Sequence, residues 1–227
     1  PPRAPDSRAE DQGSLGKVQL AAILGLVGAL LSVIELFATP ASSFIGVTTV
    51  GSGSSVSIDL SGLYLTVVFG IVGFVFLVLE LVLYRQAFRT LAPIDPRFST
   101  PSRLVMVLLI GLLIVILAGI AIFGVIYQAV QCAGPGNPIT TACLNLGSVL
   151  GLLLLLVAAG IAAFVGFIGL LIGIWRLGTR YDEGMFKVGA ILLIFPLLNI
   201  VGEILILLAA RAAREPAGIA VPPATFG

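Results

Sequence analysis

The chain has 227 residues, of which 59% are hydrophobic and 10% are charged, and its formal net charge is +1. Soluble domains carry roughly 25% charged residues, so this composition, with a mean hydropathy of +1.17, excludes a water-soluble globule and favours a membrane protein. The small net charge and the absence of a basic run argue against nucleic-acid binding.

Five apolar stretches are each long enough to span a bilayer, which takes about 20 helical residues. They lie between a polar N-terminal tail, residues 1–16, and a C-terminal tail, residues 211–227. We therefore predict an all-α polytopic transmembrane helical bundle with about five spanning helices. The predicted helices cover residues 17–38, 60–84, 103–130, 146–175 and 187–210.

The first apolar stretch has two interpretations, because the small residues Ala38-Thr39-Pro40-Ala41 that follow it could form a signal-peptide cleavage site. The apolar core of a signal peptide usually has 7–15 residues. The stretch from Val18 to Phe37 is longer than that. We therefore favour a retained first helix over a cleaved signal peptide.

The loop over residues 39–59 is rich in small polar side chains, with the run Gly51-Ser-Gly-Ser-Ser55 among valines and isoleucines. This composition predicts a flexible or short β-like cap over the helix ends. A ligand-binding loop is the alternative.

Lysine and arginine fall in the N-terminal tail and after the second and fourth predicted helices, whereas the loops over residues 39–59 and 131–145 contain neither. Because basic loops stay in the cytoplasm, we predict a multi-pass membrane protein with a cytoplasmic N-terminus. Arg211 and Arg214 conflict with this topology, since five spans would place them outside. A re-entrant last segment, broken at Pro196, is the alternative.

The two cysteines, Cys132 and Cys143, both fall in the second outer loop, with glycines and prolines between them. A disulfide is expected at the oxidising outer face. Two free thiols are the alternative.

Three carboxylates lie within apolar stretches: Glu35, Glu80 and Glu203. A charge at the bilayer centre costs about 2.5–3.5 kcal/mol, so such residues are candidates for an intramembrane polar site. Glu35 and Glu80 lie near the ends of their stretches, where they could simply be interfacial. Glu203 is deeper, and Asn199 shares its helix face because the two are four residues apart. The alternative is a kinked helix whose polar groups bind neighbouring helices.

The connection between the last two predicted helices mixes both charges with aromatic residues. It is expected to be an interfacial belt with local ion pairs, and specific docking of a lipid or protein is the sharper hypothesis. The residues concerned are Trp175, Arg176, Arg180, Tyr181, Asp182 and Glu183.

The segment from Gly173 to Gly202 reads GIWRLGTRYDEGMFKVGAILLIFPLLNIVG. It resembles the closing signature of an archaeal multi-pass membrane family known as domain of unknown function 973. The resemblance implies an archaeal cell membrane and several spanning helices, and it brings no activity or catalytic residues to carry over.

The sequence contains no histidine, the commonest metal ligand, and this absence argues against a metal site. We expect no metal site, no cofactor and no catalysis, and therefore a structural protein or an accessory subunit of a larger complex. The alternative is a small transporter or channel component that uses Asn199 and Glu203. Expected partners are membrane lipids, with other membrane subunits or further copies of the chain as additional candidates.

Overall fold

The part of the chain that the structure describes is a bundle of α-helices with one short β-hairpin. The computed structural model describes the backbone over residues 5–38, 45–50, 53–58, 60–133, 146–195 and 198–214, and side chains over a narrower set. The described elements are α1 Pro5–Ala38, β1 Ile45–Val50, β2 Gly53–Ile58, α2 Leu60–Leu91, a 3-10 turn Pro96–Phe98, α3 Ser99–Ala133, α4 Leu146–Arg180, α5 Gly184–Leu192 and α6 Asn199–Arg214.

Four of the described helices, α1 to α4, are long and apolar enough to span a membrane. α1 begins at Pro5, within the stretch predicted as a polar tail, and α2, α3 and α4 extend several residues beyond their predicted bounds. The membrane explains why the predictions were shorter, because the hydrocarbon core sets the apolar length while a helix continues into the interface.

The last apolar stretch is not one helix, so the prediction of a continuous helix over residues 187–210 is wrong. α5 has nine residues and a length of about 13 Å at 1.5 Å per residue, which is too short to span a bilayer. The helix is interrupted between Leu192 and Asn199, on either side of Pro196, a residue that removes a helical N–H and clashes with the preceding turn.

α5 and α6 instead pack against each other as an antiparallel pair, which we call the helical hairpin. A Cβ atom added at Gly189 would lie 3.1 Å from the carbonyl oxygen of Gly202 and 2.8 Å from Cγ1 of Ile206. One added at Gly202 would lie 3.2 Å from the backbone nitrogen of Leu193. Glycine at both positions therefore allows the two backbones to approach closely.

Neighbouring helices form a closed ring. α1 packs on α2, α2 on α3, α3 on α4, and the helical hairpin lies between α4 and α1. α3 and α4 approach closely at Gly166, where an added Cβ atom would lie 2.4 Å from Cβ of Leu108. At Gly169 the corresponding distance to Cβ of Leu104 is 2.1 Å.

Hydrogen bonds tie the helices together at one end of the ring, which we call the basic end. Lys17 of α1 donates to Thr90 of α2 at 3.2 Å, and Arg214 of α6 donates to Gln19 of α1 at 2.7 Å. Arg180, at the end of α4, forms a 2.9 Å ion pair with Asp11 of α1. The helical hairpin thus returns the chain to the end where α4 finishes, and Arg214 shares that end with Lys17.

The loop between α1 and α2 contains an antiparallel pair of strands, with register from Ile45 opposite Ile58 to Val50 opposite Gly53. The β-like character expected of this loop thus takes the form of a hairpin. Cys132 lies in the last turn of α3 rather than in a loop, and it is not a free thiol. Cys143 lies outside the described residues, so the pairing of the two cysteines stays a prediction.

Candidate functional site

Two carboxylates from different helices meet beside α1. The side chains of Glu80 in α2 and Glu203 in α6 are 8% and 2% exposed. A Cβ atom added at Gly25 of α1 would lie 2.8 Å from Cδ of Glu203 and 2.9 Å from Cδ of Glu80. The missing side chain of Gly25 therefore makes the space that both carboxyl groups occupy. We call these three residues the carboxylate pair and its glycine.

Neither carboxylate has a cationic partner in the part of the chain that the structure describes. The ion pairs there join Arg180 to Asp11 and to Asp95 at the basic end. Removing one ionised carboxylate from water costs several kcal/mol, and a second negative charge beside it adds repulsion. The arrangement is therefore stable only when at least one carboxyl group holds a proton or when a cation is bound.

Tyr84 lies one turn beyond Glu80 on α2 and is fully buried. Its hydroxyl lies beside the Glu203 carboxyl. Within the described residues, however, neither the Tyr84 hydroxyl nor Oε2 of Glu203 has a hydrogen bond of good geometry. Buried polar atoms without a well-formed partner are uncommon, and here the Tyr84 hydroxyl and the Glu203 carboxyl are the nearby donor and acceptor for each other.

Two cavities adjoin the carboxylate pair and share Leu77, Glu80 and Asn199 among their lining residues. The larger, of about 340 Å³, extends along α1 from Gly25 to Ser32. The smaller, of about 220 Å³, includes Glu203. Together they surround the carboxylates with space large enough for water, since one water needs roughly 10–15 Å³ of such volume.

The larger cavity leads away from the basic end. Along α2 it continues from Glu80 to Phe69, in the direction opposite to Thr90. On the basic side the rings of Tyr84, Phe88 and Phe98 stack at centroid distances of 6.2 and 6.0 Å, and all three side chains are fully buried. This aromatic column closes the site toward the basic end.

The structure thus brings together three of the four residues predicted for an intramembrane polar site: Asn199, Glu203 and Glu80. α2 turns the Glu80 side chain toward α1 and α6, where it is 8% exposed. This contact does not fix the depth of Glu80 in a membrane, so the interfacial alternative stays open. Glu35 lies in α1, but its side chain is outside the described residues. Sequence reasoning missed Gly25 and Tyr84. The four-residue spacing from Glu80 could have revealed Tyr84.

The segment predicted for docking divides into two parts. The hydroxyl of Tyr181 donates to Asp11 at 3.3 Å, and burial together with the negative charge of Asp11 raises the pKa of Tyr181. Arg180 binds the same carboxylate, so these two residues pair with Asp11 of α1, and docking of a lipid or protein at this segment stays a prediction. Trp175 is 45% exposed.

The other three residues of that segment have no common role. Arg176 donates to the carbonyl oxygen of Arg97. Asp182 is exposed and has a positive φ of 57°. Glu183 precedes α5 as its N-cap, without a side-chain capping bond.

The resemblance carried by residues 173–202 extends over most of the chain. The model of a family described as Protein of unknown function (DUF973) matches residues 12–216. Comparison with curated proteins and with solved structures finds no match. The match covers the carboxylate pair, its glycine and all the residues of the helical hairpin, so the chain belongs to the family described as Protein of unknown function (DUF973).

Proposed function

We propose that the protein is a small membrane transporter or channel component that carries protons at Glu80 and Glu203. The observation that carries the proposal is the pair of buried carboxylates around Gly25, which face cavities and have no cationic partner among the described residues. Ionisable groups inside a membrane protein commonly form proton relays. A proton satisfies the charge requirement of this pair without further ligands.

The position of the pair supports this function. Glu203 and Asn199 lie in the first turns of α6, directly after the interruption in the last apolar stretch. Interrupted helices form the ion sites of many transporters. The cavity on one side and the aromatic column on the other leave the pair accessible from one direction in this structure, as expected of one state of an alternating-access cycle.

We expect the purified protein to conduct protons in vesicles, and loss of either carboxylate to lower the rate by roughly tenfold or more. The variants are Glu80→Gln and Glu203→Gln, because an amide fills the same space but cannot release a proton. The measurement is the fall in pH inside proteoliposomes after a potassium diffusion potential is imposed, reported by a trapped pH-sensitive dye.

Glu183→Gln is the matched control, because this carboxylate lies at the basic end and lines neither cavity. It should conduct like the parent protein. Circular dichroism and thermal unfolding establish that the variants are folded. Folded Glu80→Gln and Glu203→Gln variants with parental rates would reject the proposal, and so would a parent protein no faster than empty vesicles.

We also infer that the basic end faces the cytoplasm of a cell whose plasma membrane holds the protein. The support is the concentration of Lys17, Arg180 and Arg214 at one end of the ring, together with the positive-inside rule. Four spans followed by a re-entrant helical hairpin keep both chain termini on that side. This arrangement removes the conflict that five spans create for Arg211 and Arg214.

Single introduced cysteines, in a variant whose native cysteines are replaced by serine, test this topology. With a membrane-impermeant thiol reagent on intact cells, Gln131→Cys should be labelled, whereas Gln12→Cys and Ala212→Cys should react only after permeabilisation. All three positions are exposed. Labelling of Ala212→Cys from outside, with Gln12→Cys protected, would restore a fifth span.

A structural or accessory role remains the second hypothesis. Its support is α4, whose apolar stretch is only 11% buried against the described residues of the chain, so either lipid or a neighbouring subunit must cover the rest. Mild detergent extraction followed by native mass spectrometry would reveal a second subunit or a second copy. The absence of catalysis and the archaeal source remain predictions.

A further inference from the structure

A second cavity of different character lies on the outside of the ring, between α4 and α5 near the basic end. Its volume is about 260 Å³, below the roughly 300–1,000 Å³ of pockets that enclose a drug-sized ligand. We call it the outer groove. It is lined by Leu171, Ile172, Trp175, Arg176, Ala190, Ile191 and Ile194.

The groove is apolar along its length and carries one cation. Ile191 and Ile194 are 46% and 52% exposed, as a surface in contact with acyl chains would be. Arg176 is its one charged lining residue, and no ion pair within the described residues involves it. An occupant must therefore be apolar over most of its length and negatively charged near one end.

The cation has one backbone partner. Its guanidinium donates to the carbonyl oxygen of Arg97 in the 3-10 turn. A guanidinium has five N–H donors, so this bond leaves others available for a phosphate. Trp175, one residue earlier, is an aromatic residue of the kind enriched at the depth of lipid headgroups.

We propose that the outer groove binds one hydrocarbon chain of an anionic phospholipid, with Arg176 on its phosphate. A zwitterionic lipid offers the same chains, but its positive headgroup opposes the arginine. This site is separate from the carboxylate pair and does not depend on proton transport.

Trp175 is the only tryptophan of the chain, so its fluorescence reports on the outer groove without labelling. The protein is reconstituted in mixtures of phosphatidylglycerol and phosphatidylcholine in which one lipid at a time carries brominated chains, which quench tryptophan on contact. We expect quenching to show a preference of about fivefold for phosphatidylglycerol. Arg176→Gln should abolish the preference, whereas Arg89→Gln, an exposed arginine of the same end in α2, should retain it.

Raising the salt concentration tests the parent sequence without any substitution, and should lower the preference because ionic attraction near the surface is screened. Equal quenching by the two lipids in the parent protein would overturn the proposal. A preference for phosphatidylglycerol that persists in Arg176→Gln would also overturn the proposal, because a group other than Arg176 would then bind the headgroup.

Discussion

Replacing Gly166 by alanine is expected to destabilise the bundle strongly. The new methyl group would lie 2.4 Å from Cβ, 2.5 Å from the backbone nitrogen and 2.6 Å from Cα of Leu108. Since backbone atoms cannot rotate away, α3 and α4 must separate. Overpacking of this kind costs about 3 kcal/mol, which lowers the melting temperature of a chain this long by about 6–12 °C.

Gly160→Ala is the matched control. It lies in the same helix, and an added Cβ atom meets nothing within 4 Å. Thermal unfolding in one detergent, followed by circular dichroism, compares the two variants with the parent protein. Equal melting temperatures for Gly166→Ala and Gly160→Ala would show that α3 and α4 do not pack as closely as described.

The helical character of the chain was predictable because lipid leaves no other choice for most of its backbone. Spanning segments must satisfy their N–H and C=O groups internally, and apolar length reports this directly. The stretch over residues 187–210 shows where that signal fails. One long helix and two short antiparallel helices can have equal hydropathy. Pro196 marks a place where the helix can break, and the contact of Gly189 with Gly202 shows that the chain folds back there.

The sequence could predict which carboxylates form the candidate site, but it could not predict that they meet in the folded structure. Buried carboxylates are costly in a bilayer, so Glu80 and Glu203 could be selected on energetic grounds. Their meeting depends on how α2 and α6 are rotated against α1, which tertiary packing determines. Gly25 has no local feature that separates it from the other 26 glycines of the chain.

Gly25→Ala is expected to slow proton transport strongly while leaving the protein folded. Its new methyl group would lie 2.9 Å or less from Cδ of both Glu80 and Glu203. These atoms are the ends of flexible side chains, so they can move apart by rotation and the helices need not separate. When the two carboxyl groups move apart by about an ångström or more, they lose the geometry for proton exchange. We therefore expect the rate of proton transport to fall by roughly tenfold or more.

Gly28→Ala provides the control for this substitution, because Gly28 lies one turn further along α1 and lines the same cavity. An added Cβ atom there would lie 3.6 Å from Cβ of Phe76, which is an ordinary contact. Proton uptake and melting temperature should both be measured for the two variants. A lower rate in Gly25→Ala alone, with both melting temperatures near that of the parent, identifies transport as the property that depends on the carboxylate pair. Parental rates in a folded Gly25→Ala variant would show that the meeting of Glu80 and Glu203 at this glycine has no part in transport.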